Sequence, residues 1–272
     1  MNKTKGLFVG LCSNDYLYYI DEFPKENTKV KTAMFDKYIG GPAANAAITY
    51  ALLGGDATLA TCLGESEEAD AIIQKLNNFG VKVLNFSADK TLPNTSNIII
   101  SKSGNRTIFS GQQRFKNIHK IDISAYDFYH FDCNQQEISL DILKQADTSK
   151  KVLLDAGSWK ENIEKFLMRA DIVIASEVFL NPQKQNLLEM PECKAKQKII
   201  TRGEKTVLFN GQEFPVPKVD VVDTLGAGDI FHGAFCYGYF AMQKSMENAL
   251  LYAIDIASES VKHKGPRGFL LF

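Results

Sequence analysis

The sequence predicts an α/β protein: a three-layer core with a mainly parallel sheet between helices, and a small β-sheet lid beside it. Two observations carry this reading. From residue 125 onward short apolar runs alternate with helical stretches, the pattern of parallel strands buried on both faces. Before that, over roughly 14–40 and 95–111, strand-like segments suit a separate small sheet. With no internal repeat and no low-complexity linker, the chain 1–272 reads as one domain with the lid strands inserted on the core.

In chain order, Leu7–Cys12 is a short buried strand ending near Gly10, with Asn14 and Asp15 just beyond it. Residues 16–20 and Val30–Ile39 are lid strands. Gly40-Gly41-Pro42 opens a helix over Ala43–Leu53, because proline is tolerated in a first turn. Ala57–Thr61 is a core strand. Ser66 caps a helix with Ile72, Ile73, Leu76 and Phe79 on one face, stopped by Gly80. Thr95–Lys102 and Arg106–Ser110 flank the turn Ser103-Gly104-Asn105. Core strands follow at Phe128–Phe131, Val152–Asp155 (then a helix to Met168), Ile172–Ala175 and Lys198–Thr201. A hairpin turns at Asn210-Gly211, Val219–Val222 closes a further strand, and the last helix starts near Ser245 with Met246, Ala249, Leu250, Ala253, Ile256 and Ala257 on one face.

A formal net charge of −1, without a clustered Lys/Arg face, argues against nucleic acid or an anionic membrane as partner. Five scattered cysteines with no C-x-x-C pair suit reduced thiols in a cytoplasmic protein better than disulfides or zinc. The first apolar run is too short for a signal peptide or a membrane span.

The stretch Asp223-Thr-Leu-Gly-Ala-Gly-Asp-Ile-Phe-His-Gly-Ala-Phe235 carries the chemistry. Its glycines fall where a loop becomes a helix N-terminus, whose free N–H groups and dipole attract a phosphate. Asp229 would repel that phosphate unless its carboxylate faces an alcohol and takes the proton as the oxygen attacks phosphorus. A helix cap is the plainer alternative for such a turn. Asp15 and Asn45, beside Gly40 and Gly41, lie where α/β sheets gather ligands and suit polyol hydroxyls. His232 and His263 read as packing or surface residues without a catalytic partner, and Tyr16, Tyr18 and Tyr19 as lid packing or a dimer contact.

Asp-Thr-x-Gly-Ala-Gly-Asp-x-Phe resembles the C-terminal signature of the ribokinase-like (PfkB-type) carbohydrate kinases, and Gly40-Gly41-Pro-Ala-Ala-Asn45-Ala resembles their N-terminal signature. Gly10–Phe23 and Val219–Ala234 are most similar to sulfofructose kinase-like and ketohexokinase-like members. The resemblance spans nearly the whole chain and implies a ribokinase-like fold with ATP as phosphoryl donor. It makes Asp229 the catalytic base and Gly226, Ala227 and Gly228 the anion hole. Asp15, Gly40, Gly41 and Asn45 would hold the sugar, with Lys29 as a lid cation. Thr201, Gly203 and Thr224 would line the ATP site, although Thr206 replaces the second glycine of the family's Thr-x-Gly-x-x-Gly loop.

Where the family often has Asn-x-x-Glu this chain reads Ser176-Glu177, leaving Glu177 to act on Mg²⁺ through water. A monovalent cation near Asp223 is also implied. Asn134 stands where sulfofructose kinase has Arg, so a neutral small sugar is the expected acceptor. A nucleoside, a vitamin alcohol, or a sugar-binding regulator without turnover are the alternatives. An exposed lid sheet has edges that a second subunit covers, which makes a homodimer through the lid the expected assembly.

Overall fold

The computed structural model describes residues 3–32, 34–87, 90–102, 106–111 and 122–268. Its main sheet holds nine strands in the order β13-β12-β11-β10-β9-β8-β1-β4-β5. These are β1 (Lys5–Val9), β4 (Asp56–Thr61), β5 (Val81–Asn85), β8 (Phe128–Phe131), β9 (Lys151–Ala156), β10 (Ile172–Ser176), β11 (Gln197–Thr201), β12 (Val207–Phe209) and β13 (Gln212–Phe214). From β5 to β11 every pairing is parallel, and at the other edge β12 pairs antiparallel with both β11 and β13.

Because alternate side chains leave opposite faces, Phe8 packs in one hydrophobic cluster and Leu7 and Val9 in the other. Helices α1 (Pro42–Leu52), α2 (Glu67–Asn78), α5 (Ala227–Cys236) and α6 (Met246–Ser260) contribute to the first cluster. Helices α3 (Gln136–Gln145) and α4 (Ile163–Arg169) contribute to the second. The Ser66 and Ser245 hydroxyls accept from the backbone N–H groups of Ala69 and Asn248, capping α2 and α6.

A second sheet of four strands, in the order β3-β2-β6-β7, combines β2 (Ser13–Ile20), β3 (Met34–Gly40), β6 (Asn94–Ser101) and β7 (Arg106–Gly111). Leu17 and Ile98 are buried on its inner face. On its outer face Tyr16 and Tyr18 flank Phe35, with ring centroids 5.9 and 5.3 Å away. Phe109 lies on that same face, in register with Asn97.

Several expectations are corrected. Asp15 lies inside strand β2 rather than in a loop after β1. The strand expected from Val30 begins at Met34, and residues 26–32 are irregular. Val219–Val222 is not a strand, and Val221 and Val222 are exposed. Strand β5, helix α3 and a π-helical turn over Tyr237–Ala241 were not anticipated. The turn Ser103-Gly104-Asn105 lies outside the described residues, although its flanking strands pair as expected. All five cysteines are buried, and among the described residues no helix is long and apolar enough to cross a membrane.

Candidate active site

The carboxyl ends of β8, β9, β10 and β11 and the N-termini of α1 and α5 border a cleft of about 290 Å³. Gly226 caps α5 at φ 74°, a left-handed conformation that suits glycine. Space above Gly228 is open, and the first bond of the helix runs from the Ile230 N–H to the Gly226 carbonyl at 2.9 Å. Ala227 donates weakly to the Thr224 carbonyl at 3.3 Å. Gly228 and Asp229 of the first turn line the cleft, at the positive end of the helix dipole.

Asp229 faces the same cleft, where its Oδ2 accepts from Asn45 Nδ2 at 2.7 Å. Burial, and then the carboxylate of Asp155, push its pKa up to about 7, against the lowering effect of the Asn45 bond. Asp15 accepts from Ser13 Oγ at 2.8 Å, and burial raises its pKa also. A Cβ on Gly40 would fall 1.8 Å from Asp15 Oδ2, so only glycine leaves room for that carboxylate. Asp15, Asn45, Gly40, Gly41 and Asp229 are therefore brought together at the seam between the two sheets.

Other expected residues are distributed differently. Thr201 borders the cleft. Gly203 (φ 63°) has open space around it, and the loop lacking a second glycine is closed instead by Arg202, which donates to the Thr206 carbonyl at 2.7 Å. Thr224 is exposed in the turn before α5, and Lys29 is exposed in the irregular run before β3. Glu177 is not brought into the cleft: it is exposed and paired with Lys205 at 3.0 Å, while its neighbour Ser176 lines the wall. Both oxygens of Asp223 accept backbone N–H groups, from Leu225 at 2.9 Å and Gly265 at 3.0 Å.

Sequence reasoning missed four residues of the cleft. Asp132, fully buried after β8, accepts from the N–H groups of Leu11, Ala43 and Asn134 at 2.9, 3.0 and 2.8 Å. It fastens the end of β1 to the start of α1. Asp155, near the end of β9, has its pKa pushed up to about 7 by burial. Both occupy the strand-end position that made Asp15 and Asp229 candidates, and that signal was available. Lys160 lines the wall and donates to the Asp132 carbonyl at 3.1 Å. His232 also has partners after all: its Nε2 lies 3.4 Å from Asp155 Oδ1 and its Nδ1 3.3 Å from His130 Nε2. Burial holds both imidazoles below the usual histidine range, so they are neutral.

A helix-terminal anion cradle facing a restrained carboxylate is a phosphoryl-transfer arrangement, and comparison with known proteins agrees. The family model described as pfkB family carbohydrate kinase matches residues 3–270, and the chain belongs to that family. It is 28% identical to a deoxyribokinase of Salmonella typhi over 94% of this chain and 92% of that one. It is 25% identical to a nucleoside kinase of Methanocaldococcus jannaschii, covering 94% of this chain and 90% of that one. Among solved structures, the ribokinase of Thermotoga maritima superposes with a TM-score of 0.80 at 22% identity, covering 98% of this chain and 96% of that one. Arabidopsis thaliana ribokinase, complexed with ribose and ATP, gives 0.77 at 21% identity over the full length of both chains. The protein is accordingly a kinase with the ribokinase-like fold.

Proposed function

We propose that the enzyme transfers the γ-phosphoryl group of ATP to a primary hydroxyl of a small neutral sugar, with Asp229 as the base. The observation that carries this reading is the Asp229 carboxylate, held by Asn45 and facing the cleft beside the bare first turn of α5. One oxygen accepts from Asn45, which leaves the other for the acceptor hydroxyl. The amides of Gly226–Gly228 would then meet charge on the transferring group, while Asp15 and Asn45 hold neighbouring hydroxyls. The four-stranded sheet acts as a lid that excludes water, which would otherwise take the phosphoryl group.

ATP brings Mg²⁺ with it as part of the donor substrate. Glu177 fits that ion poorly, since its carboxylate is engaged by Lys205 outside the cleft. A monovalent ion beside Asp223 would have to share a carboxylate whose two oxygens already accept, so we route no step through either group. We place the enzyme in the cytoplasm on the strength of five buried, scattered cysteines with no C-x-x-C pair.

ADP release across a panel of pentoses, hexoses, nucleosides and vitamin alcohols tests the reading. Turnover confined to nucleosides would move the acceptor class, and binding of ATP and sugar without any ADP would exclude catalysis. The pH profile supplies a second test. The base works deprotonated, so kcat/KM should rise with pH through about 7 and level off above it. A flat profile from pH 5 to 9 would contradict this.

We further propose that two copies associate through the outer face of the four-stranded sheet. Phe35 and Phe109 are 52% and 60% exposed there, a cost in water that a second subunit relieves. Sedimentation is expected to give a dimer for the native chain and a monomer for the double variant Phe35→Lys, Phe109→Glu.

A further inference from the structure

We propose that Arg267, in the segment that follows α6, is a positioning residue for phosphoryl transfer: it fixes the Asn45 amide and thereby the base Asp229. The proposal rests on the reading of Asp229 given above. Arg267 Nη2 donates to Asn45 Oδ1 at 2.8 Å and to the Ile39 carbonyl at 2.7 Å. A guanidinium has no acceptor atom, so the amide must turn its oxygen toward Arg267. Its nitrogen is then committed to Asp229, as the 2.7 Å contact to Oδ2 requires.

The same nitrogen of Arg267 therefore holds both the residue before Gly40-Gly41 and the side chain that orients the base. Three further contacts seat this segment. The Gly265 N–H donates to Asp223 Oδ2 at 3.0 Å, Lys264 pairs with Asp36 at 2.8 Å, and Pro266 packs against Gly226. Two other donors of the guanidinium, Nε and Nη1, are buried without a partner. Such groups are rare because their desolvation goes uncompensated. The cation is retained for its effect on its neighbours, which include the carboxyl groups of Asp15 and Asp229. The charged and titratable groups that bear on Asp229 are Asp15 from β2, Asp132 after β8, Asp155 from β9 and Arg267 from this segment. His232, one turn along α5, and Lys160 line the same cleft.

Arg267→Ala is expected to lower kcat about 100-fold, the usual scale for a disturbed general base, while KM for ATP stays within about twofold. Its acid limb should move to higher pH, because a lost cation and a freed amide both favour the protonated carboxyl. Added guanidinium ion should restore part of the rate. A merely structural arginine would reduce the amount of folded enzyme and leave the limb of the remainder where it was. Should Arg267→Ala not fold, Arg267→Lys keeps the charge but not the fork, and a smaller fall with the same direction of shift is expected.

A folded Arg267 variant with the wild-type rate and acid limb would overturn the proposal. Asp229→Asn run in parallel separates the two readings. If that variant is active, the base assignment fails. If it is dead while the Arg267 variants behave as wild type, only the positioning role fails.

Discussion

Asp229→Asn should fold, bind ATP and lose turnover by about three orders of magnitude, the middle of the range for removal of a general base. The replacement is close to isosteric, and Asn45 Nδ2 can still donate to the new amide oxygen, so the contact between α1 and α5 survives. Stability should rise at pH 8. In the native chain burial raises the folded pKa of Asp229 to about 7, well above that of an unfolded aspartate. Its contribution to stability is thus complete below the unfolded value and is lost as pH climbs through about 7. A neutral amide escapes that loss. Removing a negative charge beside the phosphate site should also tighten ATP binding, the opposite of what a damaged site would do. Isothermal titration with ATP, a melting curve at pH 8 and a coupled ADP assay test all three. Turnover near wild type would remove Asp229 from the mechanism.

Asp132→Ala should be the most damaging change to the fold among the cleft residues. One buried carboxylate accepts three backbone N–H groups, from Leu11, Ala43 and Asn134. Alanine strands all three at the partly buried wall of the cleft, where each orphan costs about 1–3 kcal/mol and partial hydration brings the sum to about 4 kcal/mol. For a chain of this size that is a fall of roughly 10 °C in melting temperature. A Cβ on Gly10 would lie 2.0 Å from Asp132 Oδ1, so Gly10→Ala should damage the same joint by steric means. Denaturant unfolding of both variants checks this, and a loss below about 1 kcal/mol for Asp132→Ala would show that water replaces the carboxylate.

What the sequence disclosed was mostly local. The turn before α5 and the Gly-Gly-Pro start of α1 are encoded within a few residues, so Asp229, Gly226, Gly228, Gly40, Gly41 and Asn45 were legible. The β12–β13 hairpin, the Ser66 cap and the start of the last helix near Ser245 were legible for the same reason. Strand β5 escaped because five residues with Lys82 and Asn85 among them barely alternate, and α3 because only Ile138, Ser139 and Ile142 are buried on a polar helix. Val219–Val222 misled through its composition alone. His232 looked partnerless because its partners come from two other strands, and Arg267 because nothing nearby indicates that its segment returns to α1. Asp132 and Asp155 were a different failure, since the strand-end rule already applied to Asp15 would have marked both.

The hydrogen bonds that join Asn45 to Asp229 and to Arg267 span 184 and 222 positions of the chain. Contacts of such sequence separation form late, after the costly closure of long loops. Ribosomal synthesis proceeds from the other end, so a nascent chain can pair β1 with β4 while its hydroxyl-binding half still lacks both the base and the arginine. On the roles proposed for Asp229 and Arg267, competence for transfer therefore arrives only once both residues have left the ribosome, well after β1 and β4 can pair.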